Sequence, residues 1–454
     1  MRRTSMWLGL FSATMLVGFA VWKFDVLGVS DQLDLSSKFK KSSPKNQRDL
    51  ILSDASESKE SLNDERVMLN DPAISQAWGL NKADAARAWT VSQGSKDIIV
   101  AVIDTGIDVN HEDLKANLWT NPGETGLDSK GKDKSTNGID DDGNGFVDDV
   151  YGWNFVSNSK DLTDNHGHGT HIAGIIGAEA GNGKGIAGIS PKVSLMILKY
   201  YDPKVPTSDN LNNTVNSIKY AIAKGANIIN YSGGGTEFSA TEKAAIEDAR
   251  KQGILFVSAA GNERSNSDHF KYFPADYGLS NIISVTAIDP STEVLASSNY
   301  GTETVDIAAP GQNILSTLPK NSYGYMTGTS QATAFVTGAA VLVMAAKGIK
   351  NPEEVKKYIL STGDTNRSLI AKTRTSRKLN LYKALTILDT GDMISGIKAQ
   401  GQTVSGETNS KNSPPTKSND PALEQARGVA TFGQNLLNAI EKKSRMGKTK
   451  ENSD

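Results

Sequence analysis

Between residues 98 and 286, short apolar runs rich in β-branched side chains alternate with stretches of helical spacing, and this alternation restricts the fold more than any other feature. The runs fall at 98–103, 193–199, 226–230, 254–259 and 282–286, with helical patterns such as 213–224 and 241–252 between them. A strand with one wet face alternates apolar and polar residues, whereas a strand covered on both faces is apolar throughout. Covered strands interleaved with helices predict an α/β domain of three layers, with a mostly parallel central sheet flanked by helices. Glycine and asparagine cluster just after the runs, at the carboxyl edge where such sheets carry their sites.

This pattern occupies residues 70–388, and the flanks read differently. Arg2 and Arg3 precede an apolar run, 6–22, which Lys23 ends, so residues 1–22 are expected to export the chain. Gly18 and Ala20 offer small residues for cleavage, yet Val21, Trp22 and Phe24 follow, so a signal peptide and a retained membrane anchor both stay open. Either leaves the protein secreted, periplasmic or anchored facing outside the cytoplasm. Residues 23–69 are polar and poor in aromatics, as in a linker or short pro-segment, and 389–420 read as a disordered linker. Within 421–454, Val429, Phe432, Leu436 and Ile440 share one helical face, an amphipathic helix that could dock a partner, followed by a polar tail. The chain has no cysteine, which excludes disulfides, thiolate catalysis and Cys-ligated zinc. With 49 basic and 51 acidic residues there is no electrostatic case for a nucleic-acid partner.

Three of the five histidines crowd one stretch: His166, His168 and His171, in Asp-Asn-His-Gly-His-Gly-Thr-His. Such a cluster invites zinc or a single catalytic base. Zinc lacks the H-E-x-x-H pattern and an acidic ligand at a familiar offset, which favours the base. The stretch from His168 to Gly174 is similar to the histidine motif of the subtilisin-like proteases, the subtilases. Val102-Ile103-Asp104-Thr105-Gly106-Ile107 resembles their aspartate motif, Gly328-Thr329-Ser330 their serine motif, and Ala259-Ala260-Gly261-Asn262 their oxyanion-hole segment. The order Asp, His, Ser is the family's own. Residues 378–385 resemble its closing helix.

The resemblance implies a subtilisin-like fold and a serine endopeptidase acting on polypeptides through an acyl-enzyme. Asp104, His168 and Ser330 would be its triad and Asn262 its oxyanion donor. Residues with these abilities suit the chemistry: a hydroxyl nucleophile, an imidazole base, a carboxylate that fixes its tautomer, and an amide donor. Ser232, Gly233 and Gly234 would pair with an extended substrate, and the specificity pocket would lie between them and Ala259, Ala260 and Gly261. Tyr272 would stand near its floor and narrow it. Two positions depart from the family's pattern: Ala334 replaces a proline and Phe335 a histidine, neither in the triad. Two rivals use the same residues differently: a peptide-binding pseudoprotease, and a calcium-stabilised adhesion protein with no need of Ser330.

Calcium is the cofactor expected. Asp140, Asp142 and Asn144 take the first, third and fifth places of an EF-hand-like loop, with Gly145 at the sixth and Asp148 at the ninth. Tyr151 stands where that motif has its glutamate, so hard oxygen donors crowd the turn without completing an EF-hand. The resemblance implies a second site with Asp113 and Asn182 as ligands, and Asp71 is placed with one of the two.

Overall fold

A computed structural model of the chain describes residues 70–387. The regions expected to carry the export segment, the linkers and the C-terminal helix lie outside these residues. Two short helices, α1 (Trp78–Lys82) and α2 (Ala85–Val91), lead into strand β1 (Gly94–Asp104). There follow β2 (Gly152–Asn154), α3 (His168–Gly177), β3 (Lys192–Lys199), α4 (Asn210–Ala223), β4 (Ile228–Tyr231), α5 (Ala240–Lys251), β5 (Leu255–Ala259) and β6 (Ile282–Ile288). Then come β7 (Ile307–Pro310), β8 (Ile314–Leu318), β9 (Ser322–Met326), α6 (Thr329–Lys347), α7 (Pro352–Thr362), β10 (Asp364–Thr365), β11 (Arg377–Lys378) and α8 (Leu381–Thr386).

Nine of these strands form one sheet in the order β10-β11-β7-β6-β5-β4-β1-β3-β2. Every adjacent pair is parallel except β10 and β11. β8 and β9 form a separate antiparallel hairpin. The strand interiors split cleanly between two cores. On β1, Val100 and Val102 face one side while Ala101 and Ile103 face the other; on β5, Leu255 and Val257 oppose Phe256. The first core is roofed by α2, α3, α6 and α8, the second by α4 and α5. This is the three-layer arrangement that the uniformly apolar runs demand.

The central helix α6 is apolar around most of its circumference, as a helix enclosed by protein must be. Among the described residues it is the one helix long and apolar enough to span a membrane, and it is buried in the domain interior. The strands and helices foreseen from the sequence are present with small shifts at their ends. The closing helix starts later than the resemblance implied. Arg377 and Lys378 are taken by strand pairing, and Asn380 caps α8 by accepting from Lys383 N–H at 2.9 Å. The short strands β2 and β7 and the β8–β9 hairpin carry no long apolar run that would announce them.

Candidate functional site

The parallel strands deliver their carboxyl ends to one edge, where β1 terminates in Asp104 and α3 begins at His168. The two meet because Gly169 follows the histidine. A Cβ there would lie 2.2 Å from the Gly106 carbonyl oxygen and 3.2 Å from Asp104 Cβ, so a side chain would push the helix away. His168 Nδ1 donates to Asp104 Oδ1 at 2.7 Å, leaving Nε2 as the acceptor. Burial disfavours the imidazolium, but the charge and hydrogen bond of Asp104 outweigh it and hold the His168 pKa above the usual histidine value.

A second buried carboxylate, Asp164, organises the loop that carries the histidine. It accepts from the N–H groups of His166, Gly167 and Thr170 at 3.0, 2.7 and 2.9 Å, and from the Thr170 hydroxyl at 2.7 Å. It also accepts from Thr105 Oγ1 at 2.8 Å, and Thr105 Oγ1 accepts in turn from Gly169 N–H at 2.9 Å. Burial opposes its charge, but these donors prevail and hold its pKa below the ordinary aspartate range. The sequence reading passed over Asp164 although it opens the histidine stretch; its position just ahead of Gly167 and Gly169, where backbone N–H groups converge, was the available signal.

Ser330 is the second residue of α6 and is buried. Its hydroxyl donates to the Ser232 carbonyl at 3.3 Å, so the segment beyond β4 is brought against the serine. Asn262 follows β5, and its Oδ1 accepts from Thr329 N–H at 3.0 Å and Thr329 Oγ1 at 3.2 Å. With the oxygen thus tied to the start of α6, the amide nitrogen is left as a donor beside Ser330. Gln331, Ala332, Thr333, Ala334 and Phe335 are all buried in α6, so the departures at 334 and 335 serve the core beneath the serine. Tyr272 is buried, its backbone N–H held by Asp276 Oδ2 at 2.8 Å.

The three clustered histidines do not converge on one point. His171 is buried with Nε2 against the Ile314 carbonyl at 2.9 Å, and burial pushes its pKa down to about 3. His166 meets His168 edge to face at 6.1 Å between ring centroids.

The acidic residues separate into two groups. Asp113 accepts from Asn182 Nδ2 at 2.9 Å, Ile186 N–H at 3.0 Å and Tyr323 OH at 2.8 Å. Asp71 takes Gly181 N–H on one oxygen at 2.8 Å, while its other oxygen is buried with no partner among the described residues. Burial, reinforced by the charge of Asp113, pushes the Asp71 pKa up to about 7. In the second group, carboxylate oxygens of Glu124, Asp142 and Asp149 lie within 4.8 Å of one another, and these three could hold a metal ion. Glu124 is fully buried, and one of its oxygens has no partner. The sequence reading named Asp142 but neither Glu124 nor Asp149. Asp140 and Asp148 are engaged elsewhere, Asp140 accepting from Asn144 and Gly145 N–H and Asp148 pairing with Lys160 at 2.7 Å, while Asn144 borders the cluster as a donor, its Nδ2 donating to Asp149 at 2.9 Å. Lys224 Nζ lies 2.5 Å from Asp142 and 3.7 Å from Asp149.

Parallel sheet, Asp–His pair and helix-borne serine define a hydrolase-like α/β site, and comparison places it. Residues 95–413 match the Subtilase family, Peptidase S8, and the chain belongs to that family. It is 33% identical over 320 residues to thermitase of Thermoactinomyces vulgaris, covering 70% of this chain and 98% of thermitase. It is 35% identical over 302 residues to a thermophilic serine proteinase of a Bacillus strain, covering 66% and 64% of the two chains. Subtilisin-like protease 1 of Plasmodium berghei is 33% identical over 317 residues, covering 65% of this chain and half of that protein. A solved protease structure from Pseudoalteromonas arctica superimposes with a TM-score of 0.54 at 25% identity, covering 70% of this chain and 98% of that one.

Proposed function

We propose that the protein is an exported serine endopeptidase that cleaves polypeptides through an acyl-enzyme, with Asp104, His168 and Ser330 as triad and Asn262 as oxyanion donor. The observation that carries this is the His168–Asp104 hydrogen bond of 2.7 Å, on a buried aspartate, at the same sheet edge as Ser330 and Asn262. The Ser330 hydroxyl attacks the peptide carbonyl carbon and gives its proton to His168 Nε2. Asn262 Nδ2 and the Ser330 N–H at the start of α6 donate to the oxygen that becomes negative. His168 then protonates the departing amine nitrogen. Water repeats the sequence on the ester, its proton passing to His168 and back to Ser330 Oγ as the acid leaves. Asp104 keeps the proton on Nδ1 and favours the imidazolium without taking the proton itself. In the resting enzyme the serine hydroxyl rests on the Ser232 carbonyl; a bound chain pairing with residues 232–234 would displace it towards the histidine. The apolar run at 6–22 supports export.

Calcium fits as a structural cofactor. The orphaned oxygens of Asp71 and Glu124, each beside further carboxylates, are what a hard cation with oxygen ligands would satisfy. Asp71, Asp113 and Asn182 would hold one ion; Glu124, Asp142 and Asp149 would hold another in place of Lys224. Such ions would neutralise buried charge and hold loops, with no part in bond cleavage.

A fluorophosphonate probe should label Ser330, and Ser330→Ala or His168→Ala should abolish both labelling and hydrolysis. The loss should approach about 10⁶-fold in kcat, the size established for the triad of subtilisin, a member of the same family. Because the base must be neutral, labelling should fall as pH drops through the raised pKa of His168, with a midpoint above 6.5. A folded wild-type chain that stays unlabelled would instead be a peptide-binding pseudoprotease.

A further inference from the structure

We infer that Asn299 is the positioning residue of the oxyanion donor: its buried side chain holds the backbone on either side of Asn262 and so sets where the Asn262 amide stands. The inference rests on the protease reading above and adds a residue to it. Residues 261–265 belong to no strand or helix. The backbone there passes through two left-handed residues, Gly261 with φ 101° and Arg264 with φ 61°. Such a path is strained at Arg264 and loose at Gly261, so something outside the segment has to hold it. The tip of Asn262 is tied to the start of α6 through Oδ1. That bond fixes the amide oxygen and leaves the backbone beneath it to be fixed from elsewhere.

Asn299 supplies that hold. It is buried in the loop between β6 and β7, and all four hydrogen-bonding places of its amide are filled by this one segment. Its Oδ1 accepts from Glu263 N–H and Ser265 N–H, both at 3.0 Å. Its Nδ2 donates to the Ala260 carbonyl at 2.9 Å and to Glu263 Oε2 at 2.7 Å. The backbone N–H of Asn299 adds a fifth bond, to the Gly261 carbonyl at 2.9 Å. The residues immediately before and after Asn262 are therefore both bound to Asn299. The same bonds fix the orientation of the amide, because a flipped NH2 group would face two backbone N–H donors. With every place spent on the segment, none is left for substrate, so Asn299 acts only through Asn262. A Cβ at Gly261 would lie 2.5 Å from Asn299 Nδ2, so bare glycine is what lets the amide approach the chain. Asn299 is anchored in turn to the sheet, its carbonyl accepting from Thr286 Oγ1 of β6 at 2.7 Å. Asn262 is thus held at its root from the sheet and at its tip from α6.

The test is a double-mutant cycle in peptide hydrolysis, with Asn299→Ala and Asn262→Ala made singly and together and folding checked by thermal melt. Asn299→Ala should lower kcat by about 10- to 100-fold with KM little changed, since displacing a catalytic group by about 1 Å costs about 10²-fold. In the Asn262→Ala background the same substitution should change kcat by no more than about twofold, because two residues that act as one unit do not add their effects. A folded Asn299→Ala with wild-type kcat would overturn the inference. So would losses that multiply, since a residue that only stabilises the fold acts whether or not Asn262 is present. Asn299→Asp carries the test if alanine prevents folding. It keeps the shape and the acceptor for 263 and 265, but its carboxyl can give at most one of the two bonds that Nδ2 gives. Its kcat should fall in the same Asn262-dependent way, and wild-type kcat in folded Asn299→Asp would equally overturn the inference. Fluorophosphonate labelling keeps the two levels apart. An unlabelled, inactive wild type removes the protease reading and the inference together, whereas a labelled, active wild type with multiplying losses removes Asn299 alone.

Discussion

The catalytic edge and the acidic periphery solve the same problem, buried carboxylate charge, in opposite ways. At the catalytic edge Asp164 is surrounded by five donors of its own chain, and its pKa falls despite burial. In the periphery Asp71 and Glu124 each leave one oxygen without a donor among the described residues, burial prevails, and their pKa values rise. The contrast is one of wiring rather than depth, because Asp164, Asp71 and Glu124 are all inaccessible to solvent or nearly so. A carboxylate satisfied by its own backbone needs no outside ion and can hold a geometry through a reaction. One left short of donors is open to a cation that arrives from solution. The catalytic edge should therefore be indifferent to metal and sensitive to single polar substitutions, and the periphery the reverse.

The sharpest expected effect at the catalytic edge, beyond loss of the triad, is that of Asn262→Ala. Steady-state hydrolysis should lose about 10²–10³ in kcat with KM little changed, a figure known from the equivalent loss in subtilisin. A large rise in KM at unchanged kcat would mean that Asn262 binds substrate rather than its transition state. Next comes Asp164→Ala, which strands several buried N–H and O–H donors. It should lower unfolding stability by about 3 kcal/mol at neutral pH, since hydrogen bonds to a buried charge are each worth about 1.5–3 kcal/mol and do not add fully. The folded pKa of Asp164 is depressed, so its contribution is present above the unfolded aspartate value and is lost as pH falls through the folded one. The deficit of the variant, measured by denaturant titration in a Ser330→Ala background, should accordingly shrink at low pH. A deficit that stays constant with pH would mean that the cavity, not the charge, is what the substitution costs.

How far the sequence exposed this contrast depends on whether the partners are near in the chain. Asp104, His168, Asn262 and Ser330 each sit in a short motif at a strand or helix end, where local pattern and chain order suffice. Asp164 also lies in its motif, but its role is written in backbone N–H groups, which have no residue signature. Glu124 is beyond such reading: it joins Asp142 and Asp149 from the far side of a loop, and its single-residue context is an ordinary turn. The hard-donor density at 140–148 includes only one member of the cluster, Asp142, because alternating spacing in a turn does not say which carboxylates turn inward. Lys224 was equally invisible, as it reaches Asp142 from the end of α4.

Removal of calcium probes the other half of the comparison. If Asp71 and Glu124 are short of donors because an ion supplies what the backbone does not, chelation leaves buried like charges facing each other. Thermal melts should be run on Ser330→Ala, which cannot digest itself, with and without chelator. An ion at a hundredfold excess over its Kd contributes about 2.7 kcal/mol and at tenfold about 1.4 kcal/mol, so the melting temperature should fall by several degrees. The two groups should not respond alike. Among the described residues Asp71 has an orphaned oxygen and no cation paired with it, so Asp71→Asn should remove most of the calcium response. In the Glu124 group Lys224 already reaches Asp142 and Asp149 and can partly take over when the ion leaves, so Asp142→Ala should remove a smaller share. Lys224→Met should restore a large dependence there by deleting the substitute. Equal melting temperatures in both buffers, with metal analysis finding no calcium in either sample, would show that the periphery stores its protons instead of an ion. The comparison would then be between two ways of neutralising a carboxylate within one chain.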